Sequence, residues 1–327
     1  MTSAPARPRE LAQGRLTAYL MPERVTGWVR ATAWASLATN ALLIVTGGAV
    51  RLTESGLGCP TWPRCTDTSW TSTPEMGVHG VIEFGNRLLT FVLSAVAVLT
   101  FLAVRRLRRE HPDWTRIAVA LGLGIVVQAV VGGVTVRTSL NPWVVGVHFV
   151  ISAVLIVLAA VLVDRVRRAS LPLVAERERP GQVAGRERTW MRGLGAVVGV
   201  CAGLAVYLGT LVTGSGPHSG DAGAVARHTF DPYVVTRVHV LPVYVLVAAT
   251  LLGLALAVAR RWPVAVRRMF VVLTAVVALQ AAIGYYQYFT GVPPLAVGLH
   301  LAGAAALVAV VAMTVDKIWA VTAHPQP

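Results

Sequence analysis

One stretch of this chain is written twice. Residues 128–155 read QAVVGGVTVRTSLNPWVVGVHFVISAVL, and residues 280–307 read QAAIGYYQYFTGVPPLAVGLHLAGAAAL. The copies align without a gap at a constant offset of 152 (280 minus 128). Gln128/Gln280, Gly132/Gly284, Thr138/Thr290, Pro142/Pro294, Gly146/Gly298 and His148/His300 are identical pairs. An internal repeat constrains architecture before any local signal does. Each copy is an apolar run, a break containing proline, and a second apolar run with one histidine near its start.

Those runs are membrane spans by composition. The chain is 55% hydrophobic and 13% charged, with a mean hydropathy of +0.64, whereas a soluble domain carries about 25% charged residues. Crossing a bilayer core takes roughly 20 apolar residues, and eight runs approach or exceed that: 31–50, 78–104, 115–136, 144–163, 194–212, 234–258, 264–288 and 295–315. The expected fold is an all-α integral membrane protein of about eight transmembrane helices, arranged as two pseudo-symmetric four-helix bundles.

The net charge of +14 could suggest a nucleic-acid partner, but the basic residues cluster between the apolar runs. Arg105, Arg106, Arg108, Arg109 and Arg116 join spans two and three, and Arg260, Arg261, Arg267 and Arg268 join six and seven. Eight arginines from Arg165 to Arg192 join four and five, while the intervening loops hold few. This alternation follows the positive-inside rule and excludes a DNA-binding face. It implies a lipid bilayer as partner, the cell membrane as location, and both termini in the cytoplasm. No compact basic-then-apolar signal with a cleavage site opens the chain, so the first run is expected to remain a helix. The divisions expected are an N-terminal tail over 1–30, a first half over 31–164 and a linker over 165–192, then a second half over 193–317 and a tail over 318–327. The end of span one, Leu52-Thr53-Glu54-Ser55-Gly56, corresponds to Val212-Thr213-Gly214-Ser215-Gly216. Four spans per half give both copies the same membrane orientation, hence parallel repeats.

Histidines carry the chemistry. His148 and His300 lie six residues past the prolines opening spans four and eight, and His239 lies near the start of span six. The step of 61 residues from His239 to His300, taken back from His148, lands beside Asn86 in span two. At about 1.5 Å per residue, all four positions lie one to two turns below the outer surface. A lone histidine in an apolar span can be a core residue bonded to a backbone carbonyl. Two at matching depth in a duplicated frame favour ligation, because ionisable groups at membrane depth are costly and mark function. Neutral imidazole is the usual axial partner of haem iron, while a zinc site would want further Cys, His or carboxylate ligands.

The first half differs. His79, Glu83 and Asn86 fall at i, i+4 and i+7 on one helix face, followed by Arg87. Glu83 is read either as half of an ion pair that ties helices together, or as a proton-handling or substrate-orienting group beside a chemically open haem site. Arg51, Arg87, Arg137 and Arg237 lie near the outer ends of spans. There a guanidinium can clamp a haem propionate bidentately or serve as a plain interfacial anchor. Cys59 and Cys65 share the first outer loop, GLGCPTWPRC. Their spacing on an oxidising face suits a disulfide, as a structural staple or in a redox role. Cys201, in span five, reads as a small hydrophobe.

With RLTESGLGCPTWPRC, the EFGNR run, the paired PxxxGxH stretches and TGSGPHSGD, the chain resembles the haem A synthase family, in its actinobacterial-type form, over nearly all of its membrane portion. The resemblance implies an eight-helix protein that oxidises a methyl of haem O to the formyl of haem A. It implies a haem b cofactor on His239 and His300, and a substrate haem O in the first half with His148 as ligand and Glu83 as the essential carboxylate. It also implies an outer-loop pair at Cys59 and Cys65, and haem O synthase, oxidase-assembly proteins and an electron donor as partners. Two departures stand out. Asn86 occupies the place of a histidine in many members, so the substrate haem is ligated by His148 alone or with His79 substituting. The third outer loop, GDAGAVARHTFDP, lacks a cysteine pair that some members carry. The expected chemistry is stepwise hydroxylation of the methyl to an alcohol and then a geminal diol, which loses water to give the aldehyde. The rival expectations are a quinol-linked electron-transfer cytochrome b and a non-catalytic haem carrier for oxidase assembly.

Overall fold

A computed structural model describes residues 14, 16–170, 183, 185–218, 220, 221, 223 and 225–323. Residues 1–13, 15 and 324–327 of the expected tails, and 171–182 and 184 of the expected linker, lie outside the described residues. The described chain is helical, with eight long helices: α1 (Gly27–Leu52), α2 (Gly77–Arg105), α3 (Pro112–Arg137), α4 (Pro142–Ala169), α5 (Gly185–Ser215), α6 (Pro232–Ala259), α7 (Val264–Phe289) and α8 (Pro294–Thr322). All eight are long and apolar enough to cross a membrane. This is a multi-pass membrane protein.

Local chemistry sets the helix starts. Proline occupies the first turn of α3, α4, α6 and α8, where its missing N–H costs nothing and its fixed φ suits the helix. Asn141 Oδ1 accepts from the Trp143 amide at 3.0 Å to cap α4, and Asp231 Oδ1 accepts from the Tyr233 amide at 2.7 Å to cap α6. The turns before α4 and α8 are built alike. Leu140 (φ 57°) donates its amide to the Thr135 carbonyl at 2.8 Å, and Val292 (φ 59°) donates to Gln287 at 2.9 Å. Both donor and acceptor pairs stand 152 residues apart.

Every helix runs past the apolar segment that marks it in the sequence, α4 and α8 because their charged ends are paired. At the arginine-rich face Asp164 and Asp316, again 152 apart, are both buried. Arg165 donates to Asp316 Oδ1 at 2.7 Å and to Asp113 Oδ2 at 2.8 Å; Lys317 donates to Asp164 Oδ1 at 2.5 Å, and Arg168 binds both aspartates. Each aspartate thus takes the basic residue that follows the other. This network locks α3, α4 and α8 together. Above it lie two apolar clusters: one around Val29, Trp114, Leu121 and Ile156, which Ala305 and Ala312 of α8 join, and one around Met191, Val198, Leu246, Phe270 and Ile318.

The opposite face carries the loops. Cys59 and Cys65 form a disulfide with a Cα–Cα separation of 4.5 Å. Ser55 forms an antiparallel bridge with Asp221, and the Gly56 amide donates to the Gly220 carbonyl at 2.8 Å. The loop after α1 therefore meets the loop after α5. Arg51 adds a bond to the Thr213 carbonyl at 2.8 Å.

Candidate functional site

Three histidines sit in the same kind of seat. A Cβ at Gly132 on α3 would come within 3.3 Å of His148 Cε1 on α4. On α7 a Cβ at Gly284 would lie 3.6 Å from His300 Cε1 on α8, and on α5 one at Gly209 would lie 3.3 Å from His239 Cε1 on α6. Each imidazole thus lies against a glycine of a neighbouring helix, where an added Cβ would be tight at Gly132 and Gly209 and in ordinary contact at Gly284. One turn earlier on α3 and α7, Gln128 Nε2 donates to the His148 carbonyl at 3.1 Å, and Gln280 Nε2 donates to the His300 carbonyl at 3.2 Å. These glutamines fix the register of the histidine-bearing helices. In the sequence they are one of the identical pairs, and their constant spacing from Gly and His is the signal of this role.

The rings are left unsatisfied. Nδ1 of His148, His239 and His300, and Oδ1 of Asn86, are buried without a hydrogen-bond partner. The Ala205 carbonyl lies toward the His239 ring without meeting hydrogen-bond geometry. Buried polar atoms are rarely orphaned unless something else completes the site. The imidazoles of His239 and His300 are also within electrostatic reach of each other. Two such rings, each against a glycine and with Nδ1 unpartnered, are of the kind that would hold a haem iron between them. His148 has the same kind of seat against Gly132.

Glu83 is buried in α2, and both of its oxygens are used. Oε1 accepts from Arg87 Nη2 at 2.6 Å and Nε at 3.2 Å, and Oε2 accepts from the Cys59 amide. Arg87 goes on to donate to the carbonyls of Cys59 at 3.0 Å, Thr61 at 3.0 Å and Arg64 at 3.2 Å. Arg137 donates to the Trp62 carbonyl at 2.9 Å, and a Cβ on Gly133 would strike the Trp62 ring. The disulfide loop is therefore a cap fastened to α2 and α3 by Glu83, Arg87 and Arg137. Of the four arginines singled out for propionates, Arg87 and Arg137 hold this cap, and Arg51 reaches Thr213 with its Nε buried and unpartnered. Arg237 has no bonded partner among the described residues.

His79 stands in the first turn of α2, exposed, with Nδ1 2.9 Å from Ser55 Oγ. Asn86 lies seven residues further along, about 10 Å of helix rise away. His228 went unmarked in the sequence. It is 8% exposed, its ring edge-on to Trp143 at 4.4 Å and tilted against Phe230 at 5.4 Å, with both nitrogens unpartnered. Cys201 is free and buried in α5.

Comparison with known proteins gives the same direction. The family model described as cytochrome oxidase assembly protein (COX15-CtaA) matches residues 30–312. A "Heme A synthase" of Caulobacter sp. (strain K31) is 32% identical over 312 residues, spanning 82% of this chain and 89% of that protein. Proteins of the same name from Geobacillus kaustophilus (strain HTA426) and Symbiobacterium thermophilum (strain DSM 24528 / JCM 14929 / IAM 14863 / T) are 30% and 28% identical. The first match covers 44% of each chain, and the second 56% of this chain and 58% of the relative. The span of the family model and the near full-length relative establish that the chain belongs to the COX15-CtaA family of cytochrome oxidase assembly proteins.

Proposed function

We propose that the chain is a haem A synthase, a membrane oxidoreductase that converts the methyl group of haem O into the formyl group of haem A. The observation that carries this reading is the unequal pair of histidine sites. His239 and His300 come within electrostatic reach of each other, whereas on this reading His148 is opposed by an amide, Asn86, whose Oδ1 is buried and unpartnered. Their two-sided seat suits a permanent haem b, and the one-sided seat suits a haem that must be admitted, altered and released. A haem b held by His239 and His300 would supply electron relay.

The remaining roles belong to the chain's own residues. Gly132, Gly209 and Gly284 keep the rings in place, and Gln128 and Gln280 hold His148 and His300 at their depth. The Glu83–Arg87 pair holds the capping loop against α2, which excludes water from the first-half site and leaves Glu83 positioned to orient the substrate or carry a proton. Arg237 and the free Nε of Arg51 are the guanidinium groups available to propionates. The substrate methyl would be hydroxylated twice, each round taking one oxygen atom from dioxygen while the second leaves as water with two electrons from the donor and two protons, and the resulting geminal diol sheds water to become the aldehyde. The arginine-rich face, by the positive-inside rule, is cytoplasmic, with both termini on that side of the cell membrane. The divisions 31–164 and 193–317 are then a substrate half and a cofactor half. Haem O synthase, oxidase-assembly proteins and an electron donor are the partners this reading requires.

The test is expression in a host that makes haem O and lacks its own synthase, with extracted haems identified by mass. The wild-type chain yields haem A. Glu83→Ala keeps haem b and yields none, and His300→Ala loses haem b. Haem O as the sole product of the wild-type chain refutes the reading.

A further inference from the structure

Two surface grooves lie where the basic loops meet the lipid-facing wall. The first, about 660 Å³, has Arg108, Arg109 and Arg116 at its rim and Val119, Ala120 and Leu123 below them. The second, about 550 Å³, has Arg267 and Arg268 above Val258, Val271 and Val272. They are the same place in the two repeats. Arg116/Arg268, Val119/Val271 and Ala120/Val272 stand at the offset of 152, and so do Arg108/Arg260 and Arg109/Arg261.

The rim arginines differ from others in the same loops. Arg106 pairs with Glu23, Arg165 with Asp113 and Asp316, Arg168 with Asp164 and Asp316, and Arg260 with Glu187. The side chains of Arg108, Arg109, Arg116, Arg267 and Arg268 have no hydrogen bond or ion pair among the described residues. Glu110 is the acidic residue nearest in sequence to the first rim, and Asp113 is already taken by Arg165. Below each rim the valines and Leu123 are exposed. Each groove thus presents unneutralised guanidinium groups directly above an apolar wall.

We infer that the protein carries a duplicated binding site for anionic glycerophospholipid, one molecule per repeat. The phosphodiester lies on Arg108, Arg109 and Arg116 in one half and on Arg267 and Arg268 in the other, with an acyl chain along the valine wall. Guanidinium meets phosphate oxygens bidentately. A free phosphate would satisfy the rim but leave the wall open, so the occupant is the lipid. The orientation proposed above puts both grooves in the cytoplasmic leaflet, where anionic lipid is abundant and a surface arginine contributes about a fivefold gain in affinity.

The experiment is native mass spectrometry of the purified protein in detergent. It is titrated with phosphatidylglycerol, with phosphatidylcholine of the same chains, and with inorganic phosphate. Up to two phosphatidylglycerol molecules are retained, phosphatidylcholine is not, and phosphate fails to displace them. Arg267→Gln with Arg268→Gln weakens one of the two sites about 25-fold. Removing rim charges could disturb insertion, so Val271→Trp and Leu123→Trp, which fill the walls and keep every arginine, provide the second arm. Each removes one bound lipid. Equal retention of phosphatidylcholine, displacement by phosphate, or unchanged binding in the tryptophan variants overturns the proposal.

Discussion

Glu83 and Arg87, one turn apart on α2 and 2.6 Å apart at their charged ends, share the disulfide loop between them: the carboxylate takes its Cys59 amide and the guanidinium takes its carbonyls. Breaking a buried pair leaves the surviving charge uncompensated, at a cost of about 3 kcal/mol. Glu83→Ala and Arg87→Ala are each expected to raise opening of the Cys59–Cys65 loop about 100-fold. The double variant should do little more, because both act on one element. Hydrogen exchange at the Cys59 amide checks this. Additive effects would mean that the two residues hold the loop separately.

Asn86 gives a spectroscopic prediction. Asn86→His supplies a second imidazole opposite His148 on the reading above. The first-half haem should then pass from a high-spin, one-sided signature to a low-spin one, while the His239/His300 signal is unchanged. Optical and electron paramagnetic resonance spectra of protein loaded with haem O measure both at once.

The glycine seats predict a graded series. A Cβ at Gly132 would lie 3.3 Å from the His148 ring, tighter than ordinary contact, whereas one at Gly284 would lie 3.6 Å from His300. Gly132→Ala should weaken the first-half haem, and Gly284→Ala should be nearly silent. Gly284→Val should abolish haem b retention. Haem stoichiometry against protein mass is the readout.

Much of this arrangement was legible in the sequence, and the reason is physical. Eight apolar runs suffice to place eight helices, because lipid forces the backbone to satisfy its own hydrogen bonds. The repeated Gln–Gly–Pro–His spacing marked the seats. The cap was not legible, since Arg87 binds the carbonyls of Cys59, Thr61 and Arg64, and a backbone acceptor leaves no mark on residue identity. Helix ends were misjudged for a related reason. Arg165, Lys317 and Asp316 look like loop charges in a hydropathy profile, yet their pairing extends α4 and α8 beyond the apolar core. The His228 seat was hidden because Trp143 lies 85 residues before it in the chain.

His228 predicts a pH dependence. It lies outside the helices, and burial holds its imidazole below the ordinary value of 6.5. A depressed folded value means that the unfolded loop binds the proton more readily. Stability is therefore intact above about pH 6.5 and falls as the pH drops below it. His228→Phe, packed against Trp143 and Phe230, should remove that decline. Thermal unfolding in detergent between pH 5 and 8 compares the two; parallel curves would exclude His228 as the source.

The most direct test is the identity of the haems that copurify with the wild-type chain from cells making haem O. Mass spectrometry of the extract should find haem b together with haem O, haem A or the hydroxylated haem between them, with His300→Ala losing only haem b. Haem b alone in the wild-type protein would contradict the account and leave an electron-transfer cytochrome in its place.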